Sequence, residues 1–367
     1  MRVVVAMSGG VDSSVAAALM VEQGHEVIGL TMKLRDTTPE EKSGSKGSCC
    51  SPDDLMDARF VCDTLGIPHY IVDYRDVFRT MVIEPFAQSY LMGQTPNPCV
   101  ACNDHVKFSP LLSHAKALDA DLLVTGHYAR VVEGQNGLWE LRKGLDETKD
   151  QSYFLFGIEQ SALKKTRFPL GDMDKDAVRS KGKEVGLPNW DKADSEDICF
   201  VPDGNYRKIV EKIAGDNVPP PGQVRHKDGR TLGEHEGIHR FTIGQRRGLG
   251  IASSERLYVV DIDPTEHVVT VGGREDLDAI GLRAERCRWI SGQAPTDASR
   301  FDTKVRYRHN GVPAHVIAHD DRAIVSFDSP QSAIAKGQAV VFYEADKVVG
   351  GGWIEKATTV EATEARA

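Results

Sequence analysis

A glycine- and serine-rich segment near the N-terminus constrains this chain more than any other feature. The sequence SGGVDSS at residues 8–14, called here the glycine loop, directly follows the apolar run VVVAM. A β-branched run that stops at two glycines and continues with a helical pattern predicts a strand, a loop and a helix. Glycines let the backbone approach a ligand closely, and amide groups at a helix start attract anions. The two common nucleotide-binding patterns, GxxxxGK[ST] and GxGxxG, are absent. Hydroxyl groups, glycines and Asp12 occur together at this junction, which argues against an ordinary capped turn.

Strand and helix patterns alternate along the first 130 residues. The predicted strands are 2–7, 26–32, 69–73 and 121–126, and the predicted helices are 11–23, 52–65, 77–91 and 106–118. This alternation indicates an α/β unit with a parallel sheet and right-handed crossovers. Ligands of such sheets bind beyond the carboxyl ends of the strands, which is where the glycine loop falls.

The rest of the chain divides by composition. Residues 37–51 are polar and predict a mobile insertion, whereas residues 200–255 are crowded with proline and glycine. From about residue 256, short alternating segments predict an antiparallel β-barrel or sandwich. We therefore expect a catalytic domain at 1–200, a small central domain at 201–255, a β-barrel at 256–357 and a disordered tail at 358–367.

Composition narrows the class of protein. The 367 residues allow two or three domains, and no apolar run approaches the roughly 20 residues that span a bilayer. Seven cysteines without a visible secretory signal predict reduced thiols and a cytoplasmic location. The net charge of −9 does not indicate nucleic-acid binding. Residues 225–247 and 283–308 are locally basic, although charge alone favours an ordinary solvated surface there.

A second motif, TPNPCVACN at residues 95–103, is called here the proline–cysteine segment. Its CxxC pair fits a redox pair, half of a zinc site or a thiolate activated by its surroundings. A helical pattern starts near Asp104, which predicts Cys102 at a helix N-terminus, where a thiolate is favoured. A zinc site would need more ligands, which only Cys49 and Cys50 could complete.

Other cysteines are less informative. Cys199, in the acidic segment DSEDICFVPDG, fits a core position and a loop position equally well. Cys62 and Cys287 lie in apolar patterns and are predicted to be core residues. The sequence gives no role to Cys49 and Cys50.

The glycine loop resembles the PP-loop of the ATP pyrophosphatases, which transfer AMP to a carbonyl oxygen. Further blocks resemble the tRNA-specific 2-thiouridylase family along nearly the whole chain, up to about residue 354. These blocks are the proline–cysteine segment, GHYAR, TKDQSYFLF, DSEDICFVPDGNYR, GEHEGIHRFTIGQRRGLG, KVRYR and GQAVVFY. The resemblance implies an adenine nucleotide alpha hydrolase-like fold and ATP-dependent replacement of O2 by sulfur on the wobble uridine in the tRNA anticodon loop.

The resemblance also implies roles for individual residues. ATP, with Mg²⁺ near Asp12, would be bound by Ala6, Met7, Ser8, Gly9, Gly10, Val11, Asp12, Ser13, Met32 and Gly126. Cys102 corresponds to the nucleophile and Cys199 to the cysteine that carries a persulfide from an upstream sulfur-donor protein. The tRNA, including the target base, would be contacted by Asn97, Pro98, Cys99, His127, Lys149, Asp150, Gln151, Arg306, Tyr307 and Gln338.

One position varies within the family, because some members carry Asp where this chain has Cys99. Cys99, Cys102 and Cys199 could instead ligate a [4Fe–4S] cluster that carries sulfide on its fourth iron. Two other classes of function are a non-catalytic tRNA or sulfur-carrier module and a PP-loop amidating ligase. The first would not need paired thiols, and the second would show a glutaminase segment or use ammonia.

Overall fold

The structure is a computed structural model that describes residues 1–36, 52–194, 198–201 and 204–359. The predicted insertion at 37–51, with Cys49 and Cys50, lies outside the described residues. The first half contains β1 (Arg2–Ala6), α1 (Val11–Glu22), β2 (Glu26–Lys33), α2 (Pro52–Leu65), β3 (His69–Asp73), α3 (Arg75–Phe78), α4 (Glu84–Leu91), α5 (Pro98–Cys102), α6 (Ser109–Ala117), β4 (Leu122–Val124), β5 (Ala129–Glu133), β6 (Trp139–Lys143), α7 (Gln160–Leu163), β7 (Thr166–Arg167) and α8 (Lys175–Glu184).

A parallel sheet forms the centre of the N-terminal part, in the order β3-β2-β1-β4-β7. Val3, Val4 and Val5 of β1 are fully buried, as expected for a central strand covered by helices on both faces. Because β2 and β4 flank β1 on opposite sides, the crevice beyond the carboxyl end of β1 is a topological switch point. The predicted α/β architecture is confirmed, and the glycine loop opens into this crevice.

Two of the predicted helices are longer and less regular than the sequence pattern indicates. A π-helical turn, Arg79–Ile83, joins α3 to α4, and a second one, Asn103–Phe108, joins α5 to α6. Each π turn is followed by a helix with proline at its second position, Pro85 or Pro110. Proline has no amide hydrogen for the ordinary helical bond, which accounts for the change of register.

The second half of the chain is mostly strand. It contains α9 (Tyr206–Ala214), β8 (Gly222–His226), β9 (Thr231–His235), β10 (Tyr258–Asp263), β11 (Val268–Gly272), β12 (Asp278–Trp289), β13 (Ser299–Lys304), β14 (Val312–His319), β15 (Arg322–Ser332), β16 (Ala339–Glu344) and β17 (Lys347–Thr359). Among the described residues, no helix is long and apolar enough to cross a membrane.

The C-terminal strands close into an antiparallel barrel, as predicted. The strands run in the order β12-β15-β14-β13-β16-β17, and pairing of β12 with β17 closes the ring. The hairpin of β5 and β6, which the sequence patterns do not reveal, attaches to β17 through the Lys347–Arg142 pair. Thr358 and Thr359, predicted in the tail, belong to β17, and residues 360–367 lie outside the described residues.

The central part is a separate four-stranded sheet, β10-β11-β8-β9. The sequence analysis assigned the segments of β10 and β11 to the C-terminal strands, and this assignment is wrong. In the structure β11 pairs in parallel with β8, an arrangement that local patterns of alternation do not reveal. The predicted limit at residue 200 stays a prediction.

Candidate active site

The glycine loop is held in shape by its own hydroxyl groups. Ser13 Oγ and Ser14 Oγ donate to the Gly10 carbonyl across 3.0 and 2.9 Å. Ser13 Oγ also accepts from the Ser8 amide at 3.1 Å. Gly10 precedes α1 and supplies no side-chain cap, so the first turn of the helix retains amide groups for an anion.

Two glycines allow the surrounding backbone to pack directly on this loop. Gly9 has a φ of +77°, and a Cβ atom there would overlap the carbonyl of Asp54 in α2. A Cβ atom on Gly126 would lie 2.7 Å from backbone atoms of Asp12 and Ser13. Gly126 follows β4, so this contact joins the two strand ends that form the crevice.

Asp12 is held by two side chains that the sequence analysis did not identify. The Tyr128 hydroxyl donates to Asp12 Oδ1 at 2.8 Å. Lys175 Nζ lies 2.7 Å from the same oxygen and 2.7 Å from Asp194 Oδ1. Magnesium is usually held by one or two carboxylates together with substrate phosphates. Asp12, in the first turn of α1, fits that requirement.

Asp194 forms the centre of a charged cluster beside the loop. In addition to Lys175, its carboxylate pairs with Lys149 at 2.7 Å and with Arg179 at 3.1 Å. Burial alone would raise the pKa of Asp194, but hydrogen bonds from Lys149 and Lys175 hold it below the usual value. The hydrogen bond to Asp194 in turn raises the pKa of Lys149. The carboxylate is therefore charged and fixed in position.

The segment before Asp194 holds the glycine loop in place through hydrogen bonds to the Gly9 carbonyl. Asn189 Nδ2 donates to the Gly9 carbonyl and to Ser14 Oγ, both at 3.0 Å. Lys192 Nζ donates to the Gly9 carbonyl at 3.1 Å and pairs with Asp54 at 2.6 Å. No local sequence signal identifies these residues, because a short polar stretch such as 189–194 is equally typical of a solvated surface.

The proline–cysteine segment starts a helix earlier than predicted. Asn97 is the N-cap of α5, and its side chain accepts a 3.4 Å hydrogen bond from the Val100 amide. Pro98 occupies the first turn, which suits its fixed φ. Cys99 therefore lies in the first turn and is exposed, whereas Cys102 is the last residue of α5 and is buried. The prediction of Cys102 at a helix N-terminus is wrong.

Cys102 and Cys199 belong to one apolar cluster, called here the Phe200 cluster. Cys102 is 8% exposed and Cys199 is half-buried in the turn that precedes Phe200. Met32 of β2 packs against this cluster and also against the core of the parallel sheet. Two distant parts of the sequence therefore bring their cysteines into one cluster, which packs on β2, the strand beside the one that ends in the glycine loop.

The remaining described cysteines are core residues, as predicted. Burial raises the pKa of both Cys62 and Cys287 to about 12. Across residues 1–36, 52–194, 198–201 and 204–359, no group of three or more His, Cys, Asp or Glu side chains is arranged to hold a metal ion. The described cysteines thus do not form a ready ligand set for zinc or for a [4Fe–4S] cluster.

The C-terminal barrel packs directly on the proline–cysteine segment. Gln338 Nε2 donates to the carbonyls of Thr95 and Pro96 at 3.0 and 3.1 Å. The Tyr153 hydroxyl donates to the Ala339 carbonyl at 2.9 Å. The side chain of Asn97 also forms a hydrogen bond with Tyr153. These contacts fix the cysteine-bearing helix against the barrel.

Arg306 and Tyr307 lie on the same side of the barrel, in the turn after β13. Arg306 is exposed, and its guanidinium donates to the Ser332 carbonyl at 3.1 Å. The Tyr307 ring packs on Phe154 with ring centroids 4.5 Å apart. A cation and an aromatic face suit phosphate and base contacts, respectively.

Three other predicted tRNA-contacting residues take part in internal contacts. The Asp150 carboxylate is buried and accepts from the amides of Gly144 and Ser152. Gln151 Oε1 accepts from the Tyr128 amide at 3.1 Å. Burial, with a smaller contribution from Lys107, holds the pKa of His127 well below its usual value. The predicted tRNA contacts of these residues stay predictions.

Family comparisons extend along most of the chain. Residues 1–203 match the tRNA methyl transferase HUP domain, residues 208–273 the tRNA methyl transferase PRC-barrel domain, and residues 280–354 the aminomethyltransferase beta-barrel domain. The first of these models covers more than half of the chain. The matched regions follow the three parts of the fold.

Individual relatives match at nearly full length. The tRNA-specific 2-thiouridylase MnmA of Geotalea uraniireducens (strain Rf4) is 47% identical over 98% of this chain and 96% of that protein. The protein of the same name from Geobacter metallireducens is 48% identical over 98% of each chain. A solved 4-thiouridine synthetase–RNA complex with bound ATP covers 59% of this chain and 50% of that chain, at 16% identity and a TM-score of 0.33. That last likeness is too distant to carry an argument.

Proposed function

Because this chain belongs to the tRNA-specific 2-thiouridylase family, we propose that it uses ATP to exchange O2 for sulfur on the wobble uridine of tRNA. The observation that supports this most directly is that Cys102 and Cys199 share one apolar cluster, which borders the strand next to the one that ends in the glycine loop. Met32, on the strand beside β1, packs against the Phe200 cluster that contains both cysteines. An activation site and a pair of thiols are the two parts that such an exchange requires.

The first half of the reaction must make the uracil oxygen a leaving group. Oxide is a poor leaving group, and transfer of AMP from ATP to O2 removes this obstacle. The amides at the start of α1 would bind the pyrophosphate part of ATP, and Asp12 would hold Mg²⁺ against it. Fixed charges at this position stabilise the negative charge of the departing pyrophosphate.

The second half is sulfur transfer. The terminal sulfur of a Cys199 persulfide attacks C2 of the base, and AMP leaves with the former O2. The Cys102 thiolate then attacks Sγ of Cys199, so that the persulfide S–S bond breaks and its electron pair stays on the transferred sulfur. The product is a Cys102–Cys199 disulfide, which a two-electron thiol reductant reopens. The upstream persulfide donor and the cytoplasmic location remain predictions from the sequence.

Binding of the tRNA would involve both domains that border the thiols. The anticodon base must leave its stack, which is less costly in a single-stranded loop. Asn97, Pro98 and Cys99, at the start of α5, would contact the base, and Cys99 is the exposed member of the three. Arg306 and Tyr307 would hold the tRNA farther from the reacting atoms, through backbone contacts that carry little sequence information.

The decisive experiment compares three serine variants, Cys99→Ser, Cys102→Ser and Cys199→Ser, with Cys287→Ala as the control in the barrel core. Anaerobically purified protein is incubated with ATP, Mg²⁺ and tRNA. Sulfur is supplied in one arm as a low-molecular-weight persulfide, which can load Cys199, and in a second arm as sulfide, which can load only an iron–sulfur cluster. Pyrophosphate, 2-thiouridine, iron and the mass of the Cys199 peptide are measured. We expect Cys199→Ser to form adenylated tRNA without thiolation. Cys102→Ser should retain the extra sulfur atom on Cys199, free when tRNA is omitted and joined to C2 of the base when tRNA is present.

Other results would point to other mechanisms. Loss of iron and activity together in all three serine variants would indicate a cluster that carries sulfide. Pyrophosphate release that does not depend on tRNA would favour a module that only senses nucleotide. Full thiolation by Cys199→Ser would refute both sulfur-transfer routes.

A further inference from the structure

Lys175 occupies an unusual position beside the glycine loop. It is the first residue of α8, and its side chain is only 11% exposed. Its ammonium group lies 2.7 Å from Asp12 Oδ1, in the first turn of α1, and 2.7 Å from Asp194 Oδ1. A lysine is therefore buried at the helix end where an anionic ligand is expected.

Neither carboxylate depends on Lys175 alone. Asp12 also accepts a hydrogen bond from the Tyr128 hydroxyl, and Asp194 is also paired with Lys149 and Arg179. If the ammonium group turned toward another anion, each carboxylate would keep at least one donor. Such a move would not leave a buried charge without a partner, which is the usual obstacle to breaking a buried ion pair.

We propose that Lys175 is a phosphate-binding residue. When nucleotide occupies the glycine loop, its ammonium group leaves Asp12 and contacts the pyrophosphate part of ATP. This inference rests on the proposed function only in taking ATP as the ligand of the loop. The lysine stem is flexible and its head is a compact charge, so the contact can change partners without movement of α8. The same ammonium group stabilises the charge that develops as pyrophosphate departs.

A purely structural role is the alternative, in which Lys175 braces Asp12 against Asp194. The two roles differ in what they predict for Asp194→Asn. If Lys175 only links the two carboxylates, replacing either Lys175 or Asp194 breaks the link. Asp194→Asn and Lys175→Gln would then weaken ligand binding alike. A phosphate-binding lysine keeps its charge in Asp194→Asn and loses a competing carboxylate, so the affinity for phosphate is kept or increased.

The test measures binding of inorganic pyrophosphate and of ATP to the full chain by titration calorimetry, with Mg²⁺ present. Lys175→Gln should weaken both by about tenfold or more, because a charge-assisted hydrogen bond is lost. Lys175→Arg should restore most of the affinity, and Asp194→Asn should bind at least as tightly as the parent. Lys181→Gln is the matched control, since Lys181 lies on the same helix and pairs with Glu22 at the other end of α1.

Two results would overturn the proposal. One is an affinity of Lys175→Gln for pyrophosphate equal to that of the parent, and the other is an equal loss in Asp194→Asn and Lys175→Gln. If Lys175→Gln fails to fold, Lys175→Arg and Asp194→Asn still decide the question. Because no tRNA is used, a parent protein that binds pyrophosphate through Lys175 but does not thiolate tRNA would refute only the proposed function.

Discussion

Gln338 Nε2 donates a 3.1 Å hydrogen bond to the carbonyl of Pro96, across 242 positions of sequence. A second bond from the same amide group reaches the Thr95 carbonyl. The barrel therefore holds the approach to the helix that carries Cys99 and Cys102. This gives Gln338 an internal contact in addition to its predicted contact with tRNA.

Replacement of Gln338 by alanine should affect the helix that carries Cys99 and Cys102 without affecting the glycine loop. Two carbonyls lose their donor, at a cost of about 1–3 kcal/mol in the free energy of unfolding. We expect the rate of tRNA thiolation to fall while ATP binding is unchanged, because the glycine loop is not touched. The exposed Gln223 of β8, replaced in the same way, is the control. Unchanged thiolation in Gln338→Ala would contradict a positioning role for this contact.

Asp12→Ala should abolish pyrophosphate release, with a loss of roughly a hundredfold or more, since a fixed charge at the reacting phosphates is removed. Binding of tRNA should be largely intact, because the proposed tRNA contacts at α5 and at the barrel turn of Arg306 do not include Asp12. Asp53→Ala, at an exposed position in the first turn of α2, is the control. Pyrophosphate release at the parent rate would rule out the assignment of the glycine loop.

Gly126→Ala tests the close packing between the β4 end and the loop. The added methyl group would lie 2.7 Å from backbone atoms of Asp12 and Ser13, which cannot move as a flexible side chain can. Overpacking of this kind costs about 1–3 kcal/mol of stability, and here it displaces the loop as well. Equilibrium titration should show weaker ATP binding. An affinity equal to that of the parent would mean that the loop tolerates the displacement.

Arg306→Ala should weaken tRNA binding and flatten its salt dependence. Each phosphate contact that is lost removes roughly one unit from the slope of log affinity against log salt concentration. Arg300→Ala is a suitable control on the preceding strand, because the Arg300 guanidinium pairs with Asp328. The measurement is a series of binding isotherms at increasing salt. Identical slopes for parent and Arg306→Ala would argue against the contact.

His127 should make the stability of the protein depend on pH. Burial lowers its pKa in the folded chain, whereas the unfolded side chain titrates near its ordinary value of about 6.5. Below that pH the unfolded chain binds a proton that the folded chain does not, so the free energy of unfolding falls as pH falls. The contribution is at most about 1.4 kcal/mol per pH unit.

Denaturant titrations of the parent and of His127→Gln between pH 7 and pH 5 would measure this contribution. The variant should show the smaller slope of stability against pH. His319→Gln, in which the replaced side chain is 90% exposed, should keep the parent slope. Equal slopes in all three proteins would mean that His127 binds protons equally in the folded and the unfolded chain.

Local sequence determined the elements that carry the chemistry. The step from Val5 through the two glycines to Val11 defines a strand, a tight loop and a helix within a few residues, because β-branching and the lack of a Cβ atom act locally. The same holds for α2, whose bounds equal the predicted 52–65. The apolar pattern did not locate every helix start. It predicted a helix from residue 106, whereas α5 begins at Pro98, where Asn97 as N-cap and the proline favour a helix start.

Only the tertiary structure decided which distant residues meet. Lys175, Asn189, Lys192 and Asp194 surround the glycine loop, and no local pattern distinguishes them from solvated charges, since ion pairing depends on partners far apart in sequence. The pairing of β11 with β8, the contact of Gln338 with Pro96 and the shared cluster of Cys102 and Cys199 are long-range in the same sense. The sequence specified the chemical groups and their local conformation. Packing of α8 on α1 and of the barrel on the proline–cysteine segment brought these groups together.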